Sequence, residues 1–124
     1  MQLQIRIAAF LACAAAPVLA KTWSGFLVDS TCYAIEERNI NPTDTDTAVD
    51  RDRNYEISYC RPNAHTKSFA LIRPSGRILE LNLAANAKAA QIVQASGKNT
   101  RLDVAVTGEL VKNQLQVDSI SLVK

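Results

Sequence analysis

Two hairpins of alternating apolar residues, a strand loaded with apolar residues on both faces, and an alanine-rich segment between the hairpins predict a mainly β fold. The expected architecture is a five-stranded barrel carrying one short helix between strands 3 and 4. The first strand lies in "TWSGFLVDS", Thr22 to Ser30. Trp23, Gly25 and Leu27 share one face, and Phe26 and Val28 the other, as in a long bent strand with Gly25 at the bend or bulge. "SFALIRPSGRILELNL" (Ser68 to Leu83) then reads as a hairpin. Phe69 and Leu71 alternate with Ala70 and Ile72, "RPSG" supplies Pro and Gly at turn positions, and Leu79, Leu81 and Leu83 point inward against Glu80 and Asn82.

The segment Ala84 to Gly97 places Ala85, Ala89, Ile92 and Val93 on one helical face, and Gly97 stands where a left-handed cap is wanted. The last hairpin sends Leu102, Val104 and Val106 inward, turns at "VKNQ", and returns through Leu115 and Val117. Ile120 and Leu122 then fall out of phase with those two, which implies a bulge near Asp118 or Ser119. Strand, long segment, hairpin, helix, hairpin is the order of the OB-fold. A half-open sheet with one covering helix is the alternative arrangement. No repeat, low-complexity tract or interdomain linker interrupts the pattern.

The chain opens "MQLQIRIAAFLACAAAPVLAKTW". Arg6 precedes a short apolar run, and "VLA" ending at Ala20 has the small residues of a cleavage site, so residues 1–20 read as a secretory signal peptide. The run is shorter than the roughly 20 residues of a membrane span. A buried N-terminal helix and a lipid anchor at Cys13 are the other readings of this segment, and Leu11 fits the second poorly. Residues 21–124 then form a single domain of export-compatible size, in the periplasm or outside the cell, with no membrane span. The whole chain has 14 basic and 12 acidic residues, a net charge of +2 that drops by one when Arg6 is removed. That balance gives no pull toward nucleic acid or anionic membranes.

Cys32 and Cys60 are the cysteines left in the exported chain, and an even count in an oxidising compartment reads as a disulfide. Closing such a loop stabilises by ~3.5 kcal/mol in the chain-entropy account. The bridge would tie off the long loop between strands 1 and 2. Within that loop, residues 47–60 read equally as a helix ending before Pro62 or as a short strand alternating Tyr55, Ile57 and Tyr59.

"TWSGFLVDSTC", "SFALIRPSGRILEL" and "VAVTGELVKNQLQVDSI" resemble small exported bacterial OB-fold-like domains, mostly of unassigned function. The likeness runs from Thr22 to Ile120, and its motifs describe barrel turns rather than chemistry. Those domains often carry more cysteines in the first loop, of which Cys32 and Cys60 match two. The resemblance implies the barrel and export, and implies no activity.

Other chemistry fits less well. Cys32, Cys60 and His65, with Asp29 as a fourth ligand, have the residue types of a zinc site but not its close paired spacing. A Cys–His nucleophile would need a free thiol, and neither C-x-x-C nor G-x-S-x-G occurs. Asp44, Asp46, Asp50 and Asp52 alternate as calcium ligands do, but Tyr55 and Arg61 stand where an EF-hand needs glycine and glutamate. Arg61, Lys67, Arg73 and Arg77 near three tyrosines fall short of a nucleic-acid groove, because acids are interleaved with them. The loop between strands 1 and 2 flanks the usual OB ligand face and is long enough to be functional.

The resulting expectation is a non-enzymatic binding or envelope-interaction module, with no cofactor and no bound metal. Its contact residues would be Tyr33, Tyr55, Tyr59, Arg61 and His65, and its partner a small molecule or an envelope protein. A metal- or thiol-dependent protein using Cys32, Cys60 and His65, and a purely structural component of a larger assembly, are the alternatives. Protein recovered from the periplasm after expression should have the intact mass of the chain beginning at Lys21. A mass that retains residues 1–20 or carries a lipid on Cys13 would refute the cleavage reading.

Overall fold

The computed structural model describes residues 20–37, 46–97 and 101–123, with backbone alone for residues 46–50. The N-terminal segment read as a signal peptide lies outside them up to residue 19, as does Asp44. Five strands form a closed barrel: β1 (Lys21–Asp29), β2 (Phe69–Ile72), β3 (Ile78–Leu81), β4 (Leu102–Val111) and β5 (Gln114–Leu122), in the ring order β1-β2-β3-β5-β4. β1 is shared by two neighbours. Its residues from Lys21 to Leu27 pair with β4, and those from Phe26 to Asp29 pair with β2. The ring closes through a short parallel seam, Glu80↔Gln114 and Leu81↔Leu115.

The alternation in the sequence is carried into the packing. Leu27, Leu71, Leu79, Leu102, Val104 and Leu115 meet inside the barrel and are fully shielded from solvent. The turn Arg73–Gly76 is closed by a bond from Gly76 N–H to the Arg73 carbonyl (2.8 Å), with Gly76 at φ +93°. Lys112 and Asn113 both adopt positive φ, the geometry of a tight two-residue hairpin whose twist matches its strands. The expected bulge is present: pairing shifts between Thr107↔Ser119 and Gly108↔Val117, leaving Asp118 as the extra residue.

One expectation is narrowed within β1 and another fails at the end of β3. β1 pairs with β4 in unbroken register through Gly25, so no bulge forms there. Gly25 is needed for a different reason, because a Cβ would collide with the Ile72 carbonyl oxygen. Leu83, expected inward, is 85% exposed. Asn82 N–H bonds to the Leu115 carbonyl (3.0 Å), and the chain then enters a 3₁₀ turn, Leu83–Ala85, which ends the period-two alternation.

The long segment after β1 is not simply a loop, and the molecule has more than one helix. It holds α1 (Ser30–Glu37) and α2 (Asp46–Tyr59), which settles the helix-or-strand ambiguity in favour of helix. α3 (Asn86–Ala95) lies between β3 and β4 in the chain, and Ala89 reaches the barrel core with Ile92 and Val93 beside it. Gly97, at φ +64°, follows it.

A second, smaller core lies outside the barrel wall. Val28, Ala70 and Ile72 face outward from β1 and β2 and meet Tyr33 of α1, Ile57 of α2, and Cys60. All four residues of β2 are therefore buried. This second core is the reason β1 is apolar on both faces.

Gly25→Ala and Gly108→Ala should each cost about 3 kcal/mol in urea unfolding, since both place a methyl into backbone that cannot retreat. Gly97→Ala has open space around it and should lose about 1 kcal/mol from its positive φ alone. Equal losses at all three would contradict the close-approach explanation.

Candidate functional site

The segment between β1 and β2 is fastened to the barrel at both ends. Asp29, the last residue of β1, caps α1: its Oδ1 accepts from the Cys32 N–H (3.0 Å) and its Oδ2 from the Thr66 hydroxyl (2.9 Å). The Asp29 N–H donates to the Cys60 carbonyl (2.8 Å). Cys32 and Cys60 form a disulfide with Cα atoms 5.5 Å apart. Ser30 Oγ adds a bond to the Glu80 carboxylate, at 2.7 Å from Oε2. The start of α1 and the end of α2 are thus held over the outer face of β1 and β2.

These bonds alter several of the residue roles expected from sequence. With both sulfurs in the bridge, neither is a thiolate, and Asp29 is spent as a cap. The zinc and Cys–His nucleophile schemes lose their ligands. Among the described residues no group of three or more His, Cys, Asp and Glu is placed to hold a metal ion. Also among them, no helix is long and apolar enough to cross a membrane. Asp52 lies in α2, its carboxylate 3.6 Å from the Arg51 guanidinium.

Of the five expected contact residues, the structure brings only two together at the surface. Tyr33 is a correction: it is 1% exposed and packs in the second core, because α1 turns it toward Ile57 and Cys60. Tyr55 and Tyr59 are 64% and 63% exposed, one helical turn apart, with rings stacked at 5.8 Å. Arg61 clamps the segment to the end of α3, donating to Ser96 Oγ (2.7 Å), the Gly97 carbonyl (3.0 Å) and the Pro62 carbonyl (2.9 Å). A cleft of about 310 Å³ lies along this clamp, between Asn63, Thr66 and the Ala90–Gln94 side of α3. His65 is exposed on a loop braced by its own N–H to Asn63 Oδ1 (2.7 Å).

A concavity with two arginines lies between α2 and the barrel wall. Phe26, Ile57 and Pro74 give it an apolar floor, and Arg53, Asn54 and Arg73 line it with polar groups around about 260 Å³. Arg101 reaches two of these residues: its guanidinium sits 4.9 Å from the Phe26 ring centroid and donates to Asn54 Oδ1 at 3.2 Å. Arg73 lies 5.6 Å from the Trp23 ring centroid and donates to the Ser24 carbonyl. Arg53 crosses from α2 to the β2–β3 turn. Its guanidinium lies so close to Gly76 that a Cβ there would come within 2.7 Å of Nη2. Glycine at this turn is what admits the arginine.

Comparison with protein-family models, curated proteins and solved structures finds no match to this chain. The cleft is therefore described by its own chemistry. Arg73 stands out in the sequence only as one of a run of basic residues, and no motif in the sequence singles out Arg101. The strand alternation carried a usable signal: Leu102 points inward, so Arg101 and Asp103 lie on the outer face with Phe26. That Asn54 and Arg53 meet the same surface depends on α2 being a helix.

Behind the cleft, Glu56 on α2 is 6% exposed, and its Oε2 has no hydrogen-bond partner. Burial, reinforced by the charges of Glu37, Glu36 and Asp52 and opposed by Arg53, pushes its carboxyl up to about 7. Burial likewise raises the Tyr33 phenol well above its usual range, with Glu37 and Glu56 adding to the effect. Between the unfolded carboxyl value near 4.5 and about 7, the folded protein holds a proton that the unfolded chain has released. Stability therefore falls as pH rises through that window, by on the order of 2–3 kcal/mol. Urea midpoints should be lower at pH 8 than at pH 5. Glu56→Gln should remove most of that difference, and an unchanged difference would show that Glu56 is not its source.

Proposed function

We propose that this chain is an exported, non-enzymatic binding module on an OB-type barrel, with its ligand site built by α2 against the barrel wall. The observation that carries the reading is the cleft floored by Phe26 and Ile57. Its walls come from α2 and from the barrel, which the second core holds together, while the Cys32–Cys60 bridge ties the end of α2 to α1. Rigid concave sites with a few convergent polar groups on an apolar floor are where small ligands bind. The OB assignment is supported by the strand order β1-β2-β3-β5-β4, with α3 between β3 and β4 in sequence. Export is supported by the disulfide, which persists in oxidising compartments, together with the leader-like first twenty residues. Tyr55 and Tyr59 belong to the same proposal as the outward side of α2, where a protein partner would meet stacked aromatic rings.

A thermal-shift screen of small acids, sugars and short peptides against the oxidised protein tests this. At least one compound should raise the melting temperature, and Asn54→Trp, which fills the cleft, should abolish the shift. Reduction of Cys32–Cys60 should abolish it too. A shift that survives Asn54→Trp but is lost in Tyr55→Ala/Tyr59→Ala would move the site to the outer face of α2. No shift with any compound, combined with a stable oligomer, would favour a structural component of an assembly.

A further inference from the structure

We infer that the cleft between α2 and the barrel wall selects a small anion, a carboxylate or phosphate monoester, joined to a compact apolar group. This rests on the reading of the cleft as a ligand site and goes further by naming the ligand's chemistry.

Two guanidinium groups, Arg53 and Arg73, line the cleft, and a third, Arg101, lies over its Phe26 ring. Arg53 comes from α2, Arg73 from the end of β2, and Arg101 from the start of β4. Arg73 and Arg101 are each held by a ring face and a hydrogen bond, and Arg53 lies beside the β2–β3 turn. Arg73 spans the Trp23 ring and the Ser24 carbonyl, and Arg101 spans the Phe26 ring and Asn54. Guanidinium forks fixed in this way lose little entropy when they take a carboxylate or phosphate, and their planar donor pairs match such groups. Arg73 and Arg101 each spend one Nη1 donor, on the Ser24 carbonyl and Asn54 Oδ1, and a guanidinium carries five N–H donors, so others remain for an anion.

The acids nearby offset only part of this charge. Asp103 is the β4 register partner of Phe26 and shares its outer face. Asp52 is paired with Arg51 at 3.6 Å. Glu56, on which Arg53 acts, is buried on α2, and burial raises its carboxyl above the usual range. Asn54 adds an amide at the rim.

The floor sets the other half of the ligand. Phe26, Ile57 and Pro74 offer apolar surface, and a cleft of about 260 Å³ falls below the roughly 300–1,000 Å³ of drug-sized sites. The ligand is therefore fragment-sized, with a ring or short branched chain behind its anionic head. The other concavities make weaker cases. The cleft beside α3 has its one guanidinium, Arg61, engaged with Ser96 and Gly97. The hollow lined by Lys88, Ile92 and Asp118 has opposing charges.

The test is a chemical-shift titration of the oxidised, ¹⁵N-labelled chain from Lys21 onward, in low-salt buffer at pH 7. The probes are benzoate, phenyl phosphate, inorganic phosphate, benzyl alcohol and benzamide. Benzoate or phenyl phosphate should give saturable shifts at Phe26, Asn54 and Ile57, with Kd on the order of 0.1–1 mM. Arg101→Gln and Arg73→Gln, each checked for an unchanged fold by its spectrum, should weaken that binding at least fivefold. Raising NaCl to about 0.3 M should weaken it severalfold, since the site is open to solvent. Benzyl alcohol or benzamide binding as tightly as benzoate would overturn the anion selection and leave a neutral-ligand module standing. Inorganic phosphate binding as tightly as phenyl phosphate would overturn the apolar half. If no probe moves the cleft resonances, the inference fails. The cleft reading itself then fails only if the screened ligand also binds Asn54→Trp.

Discussion

The structure depends on a strand pair that is apolar on both sides. A barrel of this size needs one buried face per strand, yet Val28, Ala70 and Ile72 put a second apolar face on the outside of β1 and β2. Left in water, that face would be a sticky patch on an otherwise ordinary surface. The segment between the two strands folds back and covers it with Tyr33, Ile57 and Cys60. The Cys32–Cys60 bridge lies within the cover itself, so the covalent link and the apolar contacts reinforce the same arrangement. The Asp29 cap and the Arg61 clamp fix the two ends of the cover. The cleft follows from this. α2 meets the wall through Ile57, and Arg53 and Asn54 line the cleft with Phe26.

Much of the barrel was legible in the sequence because strand periodicity leaves a strong trace. Leu102, Val104 and Val106 announce a half-buried strand, and the phase change from Val117 to Ile120 announced the bulge at Asp118. "RPSG" and "VKNQ" announced turns through residues with special backbone demands. The alternation misled at Leu83, where a bond from Asn82 to β5 ends the strand before the pattern runs out. It misled at Gly25 as well, since a glycine required by a neighbouring carbonyl looks in sequence like one required by a bulge.

The covering segment was far less legible. Among the described side chains of α2 only Glu56 and Ile57 are buried, and so small a buried face leaves no clear 3.6-residue stripe over them. Tyr55, Ile57 and Tyr59, at alternate positions, imitate a strand. Tyr33 looked like a contact residue because aromatic residues in polar segments often are. Only the path of α1 shows that it points into a core. The cysteine pairing was recoverable by counting, but the second core was not, because its members are spread over four elements from Val28 to Ile72. The arginines of the cleft are separated in the same way, and no local motif joins Arg53, Arg73 and Arg101.

The parallel seam between β3 and β5 has a consequence for self-association. A closed ring has no unpaired strand edge, and so offers no template on which another chain can add a strand. Here closure rests on two residue pairs, while β4 and β5 run together over eight. The seam is therefore the place where a transient opening would uncover two hydrogen-bonding edges at once, with Leu81 and Leu115 beside them. Asn82, whose backbone N–H bonds to the Leu115 carbonyl and whose side chain donates to Gln116 Oε1 at 3.0 Å, acts as the latch that keeps those edges from strangers.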